Sequence, residues 1–436
     1  MKQRPVRSVP TLLFVLLLGI APASGAVELR VGMGRTELPR PENGPLGGYG
    51  GWRDRSAHDM LDPPEARALV LDQDGLRVAV VSLDVVIIRP NLREGLQELA
   101  GAFNLDALVL AATHTHSGPG GYIPGRLPAR LTAGSFDPGS ARNLIRAALR
   151  ALQLAIGDLT PARVRSGRAK LSLARNRRSS NGPHETDLPL LRFDFPNGRR
   201  PLALFAYGAH PTVLSPKSRA YSADYVGAAR AWLEERGWRA IFLPGPLADQ
   251  EPTSQLGPLW PRDLAQQRAQ VTEIGSRLGE AVLGGVQELT TADPVRLASV
   301  EHWVDAPRDP KLRRFCALWW LAPFLRHSIR GFFSKRVPIH AIRIGQSRLL
   351  ALPAEPTSSV AQGIRESLAP TQPIFVVAHA NDWLGYAVSA ENYRRGGYEA
   401  CFSFYGPGFG EWLSEEAVTA ARRLDSHAPV QRGSAP

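Results

Sequence analysis

Two histidines one residue apart, His114 and His116, follow the apolar run Leu105–Leu110 in the segment Ala-Ala-Thr-His-Thr-His-Ser-Gly-Pro-Gly-Gly (111–121). Imidazoles at this spacing could serve one metal ion. If a strand continued through them, both would face the same side, because strand side chains repeat every second residue. The Ser-Gly-Pro-Gly-Gly that follows forces a turn and lets a substrate come close to the backbone. A His-x-His pair also occurs as packed or capping histidines, so this reading needs support from the rest of the chain.

Further motifs follow in order. They are the glycine-rich opening Val31-Gly32-Met33-Gly34-Arg35, then Val80-Val81-Ser82-Leu83-Asp84 before the histidines and Asn176-Arg177 after them. Next come Ala209-His210-Pro211-Thr212, Pro353-Ala354-Glu355, Asn381, Gly385-Tyr386 and Tyr398-Glu399-Ala400. Together with Thr-His-Thr-His-Ser-Gly-Pro, this series resembles the neutral/alkaline (non-lysosomal) ceramidases over roughly residues 29–415, the catalytic domain of that family without the smaller sandwich domain of its longer members. The resemblance implies an α/β fold with mixed β-sheets layered with helices in a single large catalytic domain. It implies a zinc-dependent amidohydrolase that cleaves the amide of a ceramide-like N-acyl lipid to a fatty acid and a free amine. By the same resemblance His114, His210, Glu355 and Tyr386 are the zinc ligands, and His116 sits beside the metal, contacting substrate or orienting water. Tyr398 donates to the developing oxyanion and Arg177 contacts the polar head of the substrate.

The residue types suit that chemistry. A hydrolytic zinc takes imidazole, carboxylate and sometimes phenolate donors and keeps one position open for water. Alternatives exist for each: Tyr386 and Tyr398 as packed aromatics, Arg177 as a surface ion-pair partner, His210 before Pro211 as a structural histidine. The chain departs from the family where ceramidases carry Gly-Asp-Val-Ser-Pro, since Ala248-Asp249-Gln250-Glu251-Pro252 stands there. No serine acyl-enzyme can form at Glu251, which favours attack by water. Glu251 is then either a general base or a group that binds a neighbour or the substrate. Two rival readings accompany this departure, a zinc hydrolase of a non-lipid amide or ester and a catalytically silent lipid-binding homologue.

The elements that must position these residues alternate. Ala66–Leu71 and Val78–Ile88 read as strands around the turn Asp72-Gln73-Asp74-Gly75, followed by an amphipathic helix Pro90–Phe103 and a strand Ala107–Ala112, a βαβ-like order. Helical spacing recurs over Ala141–Ile156 and Ala223–Arg236, and strand patterns over Leu190–Phe195, Leu202–Tyr207 and Arg239–Leu243. The candidate ligands fall at strand ends or in the loops after them, where α/β enzymes build their sites.

The chain has 436 residues, 44% hydrophobic and 21% charged, an ordinary globular composition. Residues 1–26 read as a signal peptide, with Lys2, Arg4 and Arg7 before the apolar run Thr11–Ile20 and Ser24-Gly25-Ala26 for cleavage, so export to the periplasm or beyond is expected, with membrane association. Losing them lowers the formal net charge from +12 to +9. Residues 27–427 form the hydrolase domain and 428–436 a disordered tail. Only Cys316 and Cys401 could pair, so the fold cannot depend on a cystine framework. The basic balance suggests acidic lipid headgroups rather than nucleic acid, for which no motif is present. Within 311–336, Trp319, Trp320 and Phe324 lie between Lys311, Arg313, Arg314 and Arg326, Arg330, Lys335, Arg336. That segment reads either as a peripheral contact with an anionic membrane surface or as a buried helix or lid.

Overall fold

Strands that are apolar on both faces need cover on both, and three such sheets share one interior here. The computed structural model describes residues 28–50, 55–125, 127–196, 198–294, 296–311, 330–368 and 371–426. The first sheet runs β5 (Ala107–Ala112), β4 (Leu76–Leu83), β3 (Glu65–Gln73), β1 (Arg30–Glu37), β6 (Thr160–Pro161). The second runs β12 (Arg239–Pro244), β10 (Leu202–Tyr207), β9 (Asp187–Asp194), β7 (Arg163–Lys170). The third runs β14 (Leu297–Asp305), β15 (Arg336–Ile344), β16 (Ser347–Ala351), β18 (Ile374–Val377). Short ladders join β2 (Asp59–Met60) to β11 (Ala220–Tyr221), β8 (Ala174–Asn176) to β13 (Gln250–Pro252), and β17 (Glu355–Pro356) to β19 (Tyr386–Ala387).

Alternate residues of each long strand decide the layering. Leu69, Val80 and Val109 of the first sheet meet Leu191, Phe193 and Ile241 of the second and Ile342, Phe375 and Val377 of the third in one inner core. The opposite faces are covered by helices. α1 (Pro90–Leu99) and α3 (Pro138–Gly157) lie on the first sheet, α4 (Asp224–Glu235) and α5 (Leu264–Glu288) on the second, α6 (Ser358–Ser367) and α9 (Phe409–Ser426) on the third. The short α2 (Leu127–Ala133), α7 (Ala390–Arg395) and α8 (Tyr398–Cys401) are further helices of the described residues. α3 begins where Asp137 accepts from the Gly139 and Ser140 amides at 3.0 and 2.8 Å, with Pro138 in its first turn. A side chain at Gly32 or Gly34 would collide with the Ala155 or Ala151 carbonyl of α3, which explains the glycine-rich opening as close helix–strand packing.

Three crossovers aim the site. The pairs β4–β5, β10–β12 and β16–β18 are parallel, joined through α1, α4 and α6. Their carboxyl ends are stitched together: the Ala112 amide donates to His379 O at 3.2 Å, His379 N to Ala354 O at 3.2 Å, and Ala378 N to Pro244 O at 3.0 Å. Loops leaving parallel strands at that end are where α/β folds bind ligands.

The expected fold class, mixed sheets layered with helices in one domain, is what the chain adopts. The strand expected over Val78–Ile88 instead stops at Leu83. The next residue, Asp84, turns its carboxylate to the Glu65 amide at 2.7 Å and to Arg230 at 2.6 Å, and the Val85 amide folds back onto Leu83 O at 2.9 Å. The helix expected to reach Phe103 ends at Leu99, with a single 3₁₀ turn over Gly101–Phe103. The leader read in 1–26, the tail 428–436, Cys316 and the aromatic run Phe315–Leu325 lie outside the described residues. Among the described residues no helix is long and apolar enough to cross a membrane.

Candidate functional site

β5 ends at Ala112, and His114 takes a left-handed φ of 69°. The two histidines do converge, but through a tight turn and not through strand alternation as the sequence suggested. The His114 amide donates to Val85 O at 3.1 Å and its Nδ1 to Val86 O at 2.6 Å, which fixes the tautomer and leaves Nε2 unprotonated. His116 Nε2 lies 3.2 Å from His114 Nε2.

The other donors come from the second and third sheets. His210 follows β10, and its Nδ1 donates to Gln250 O at 3.0 Å, again leaving Nε2 unprotonated. Glu355 opens β17 and is paired in register with Tyr386 of β19. Its Oε1 accepts from Trp383 Nε1 at 2.7 Å, while the buried Oε2 has no hydrogen-bond partner and stands 3.6 Å from His210 Nε2 and 3.9 Å from His114 Nε2. The ligating atoms of His114, His210 and Glu355 all lie within 4.8 Å of one another. Two donors on a tetrahedral zinc sit about 3.4 Å apart, so a small inward shift closes the set. The Tyr386 hydroxyl, 3.5 Å from His210 Nε2, borders the same space.

The electrostatics suit a cation. Burial pushes the His114 imidazole down to about 4, and pushes His210 and His116 well below their ordinary range. All three are neutral and able to ligate at physiological pH. Burial also raises the Glu355 carboxyl, opposed by His114 and by the Trp383 hydrogen bond. A buried carboxylate oxygen without a partner, facing unprotonated imidazole nitrogens, is an arrangement that a divalent ion completes.

One participant escaped the sequence reading. His379 stacks on His114 with ring centroids 4.0 Å apart and planes inclined by 17°, and its Nε2 is 3.8 Å from Glu355 Oε1. It is fully buried, and neither ring nitrogen has a hydrogen-bond partner. Its signal was available: a histidine two residues before Asn381, just past the apolar strand Ile374–Val377. Asn381 itself is a latch, accepting from the Leu110 amide at 2.9 Å and meeting His340 Nδ1 at 2.9 Å.

Arg177 and Tyr398 stand at the outer side. Arg177 donates from Nε to Glu399 at 2.7 Å and from Nη2 to Ala248 O at 2.7 Å, and its guanidinium lies 5.3 Å from the centre of the Tyr398 ring. Tyr398 packs edge-on against Tyr386 at 5.8 Å and is 57% exposed, so it borders solvent while Tyr386 borders the donors. Glu251 does not join this cluster, and of its two readings the arrangement favours a group that binds a neighbour over a general base. It is the cross-strand neighbour of Arg175 in the β8/β13 ladder, and its carboxylate is bound by that guanidinium at 2.7 and 2.9 Å. In so short a strand alternate side chains take opposite faces. Gln250 points inward to Asp249 and Ser358, and Glu251 points out.

Residues 30–240 match the family Neutral/alkaline non-lysosomal ceramidase, N-terminal. A neutral ceramidase of Mycobacterium tuberculosis is 24% identical over 495 aligned residues, covering 89% of this chain and 76% of the relative. A neutral ceramidase of Pseudomonas aeruginosa is 24% identical over 514, covering 96% and 76%. The crystal structure of neutral ceramidase from Pseudomonas aeruginosa superposes with a TM-score of 0.78 at 21% identity, over 91% of this chain and 75% of that one. A ceramidase complexed with C2 gives the same TM-score at 20% identity. At such identities the structural likeness establishes a common fold.

Proposed function

We propose that this chain, whose residues 30–240 match the neutral/alkaline non-lysosomal ceramidase family, hydrolyses the amide of a ceramide-type N-acyl lipid to a fatty acid and a sphingoid base. The observation that carries the proposal is the buried donor set: two imidazole Nε2 atoms freed by carbonyl-bound Nδ1 groups, facing a carboxylate oxygen without a partner. His114, His210 and Glu355 would hold zinc, with Tyr386 as the fourth donor. The ion supplies Lewis acidity toward the amide carbonyl and toward water.

The remaining work falls to the chain's own groups. His116 is uncharged, and its Nε2 sits at the edge of the donor set. It is placed to take a proton from the attacking water and return one to the leaving amine, so that C–O forms and C–N breaks without net change in the protein. The Tyr398 hydroxyl, beside Tyr386, donates to the carbonyl oxygen as it becomes an oxyanion. Arg177, fixed by Glu399, offers its remaining guanidinium N–H groups to the substrate's polar head. With Glu251 in the family's serine position and bound to Arg175, water is the nucleophile, and no acyl-enzyme is expected. The leader-like residues 1–26 support an exported enzyme that meets its substrate at a membrane.

Metal analysis of the purified protein, run beside turnover of a panel of N-acyl lipids, tests the reading. One zinc per chain and release of fatty acid with free sphingoid base are expected. Hydrolysis of short soluble amides alone would assign a different substrate, and zinc without any turnover would leave a lipid-binding homologue.

A further inference from the structure

A second cavity, of about 540 Å³, lies directly behind His116. Tyr49 forms the wall between them, its ring packed edge-on against the His116 ring at 4.6 Å. Four cationic side chains line the cavity, Arg55, Lys217, Arg219 and Arg262, together with Trp260, and no carboxylate is among the described lining residues.

Arg55 is the informative member. It is 6% exposed, with Nη1 donating to His116 O at 2.9 Å and to Gly47 O at 3.1 Å and Nη2 to Ser218 O at 3.3 Å. Its guanidinium lies 4.8 Å from the centre of the Tyr49 ring, and the buried Nε has no partner. Its titratable neighbours are the Tyr49 phenol, which burial keeps uncharged, and a second arginine, Arg219, not a carboxylate. A buried cation is ordinarily paired, and here more positive charge has been gathered around it. The opposite wall is held rigid: Trp260 Nε1 donates to Thr212 O at 2.7 Å, and Gln267 Nε2 binds Pro261 O at 2.7 Å.

We propose that this cavity binds a phosphate group next to the amide-hydrolysing centre. A phosphate carries about −1.5 to −2 charges and three strong acceptor oxygens at neutral pH, and arginines recognise such oxygens with paired donors. The group could belong to the substrate's own polar end or to a neighbouring phospholipid, and the chemistry of recognition is the same. The link to amide hydrolysis rests on the function proposed above, whereas binding itself does not.

Calorimetric titration with inorganic phosphate of the full chain and of Lys217→Ala/Arg262→Ala tests binding without requiring turnover. Both side chains are exposed, so the variant should keep the parent's circular dichroism, and Lys217→Gln/Arg262→Gln serves if it does not. The variant should bind phosphate about tenfold or more weakly, the scale of lost charge-assisted contacts. Equal binding overturns the proposal. Two further arms assign the source. A rise in KM for a short-chain N-acyl amine bearing a phosphate, but not for its neutral analogue, places the phosphate on the substrate. Weaker binding to phosphatidylglycerol vesicles, with both soluble substrates unaffected, places it on the membrane. A chain that binds phosphate through these residues but hydrolyses no N-acyl amide would overturn the proposed function and leave this site standing.

Discussion

His114 and His210 each give the Nδ1 proton to a backbone carbonyl and turn Nε2 inward, so their orientation is built into the turns after β5 and β10. The roles of their neighbours then separate by experiment. Glu251→Gln should retain turnover within about twofold, because loss of a partly exposed ion pair rarely reaches 1 kcal/mol, whereas His116→Ala should lose about 10²-fold or more if it moves the proton. Steady-state rates at matched zinc content check both, and a collapse of activity in Glu251→Gln would restore the carboxylate to the chemistry. His379→Leu keeps the packing against His114 but removes both ring nitrogens. If its Nε2 helps to hold Glu355, zinc affinity measured by chelator competition should fall about 10- to 100-fold, the usual effect of losing a group that orients a ligand. Unchanged affinity would make His379 a packing residue. The site was legible in the sequence wherever residues recur in a motif, as His114, His116, His210, Glu355 and Tyr386 do. His379 was not, because a single histidine after an apolar strand carries no spacing. Glu251 stayed open between two roles because a motif position does not say which face of a three-residue strand a side chain takes.

At the scale of elements, α4 ties the second sheet to the first. Its Arg230 is buried against Asp84 at the end of β4, and Asp224 opens its first turn with a left-handed φ of 57°. The Asp224 carboxylate accepts from the Val213, Leu214 and Tyr225 amides at 3.3, 3.0 and 2.8 Å, and so holds the loop that follows His210. Burial raises its pKa from 3.8 to about 7. For a carboxyl raised on folding, the protonated form is favoured in the native state. Its stabilising contribution is therefore full below pH about 4 and is lost as pH rises through about 7. Asp62, raised to about 6 by burial, acts in the same direction. Thermal melts of Asp224→Asn across pH 4 to 8 should show a flatter dependence than the parent, and an identical slope would remove Asp224 as its source. The bounds of β5 and β10 were readable from apolar runs closed by turn residues. The end of β4 was not, since Val85–Ile88 are apolar and buried like a strand. What stops β4 is the pull of Asp84 toward Arg230, 146 residues along the chain.

Across the whole molecule, the donor set draws one histidine from the turn after the first sheet's β5, one from the turn after the second sheet's β10, and Glu355 from the β17/β19 ladder that follows the third. An ion bound there fastens all three to one another. Chelation should lower the melting temperature without splitting the transition, since a ligand that binds only the native state stabilises by about 2.7 kcal/mol at a hundredfold excess over Kd. Scanning calorimetry with and without chelator checks this, and two separated transitions would contradict a shared core. That three sheets share one interior was not legible beforehand, because periodicity reports which residues are buried and not which sheet they meet. The arrangement also sets an order of events during synthesis. Residues 114 and 355 must meet before the donor set exists, and contacts between such distant segments form late and slowly. A nascent or partly folded chain therefore offers no complete chelate to whatever metal it encounters, and selection among ions is deferred to the compartment in which folding finishes.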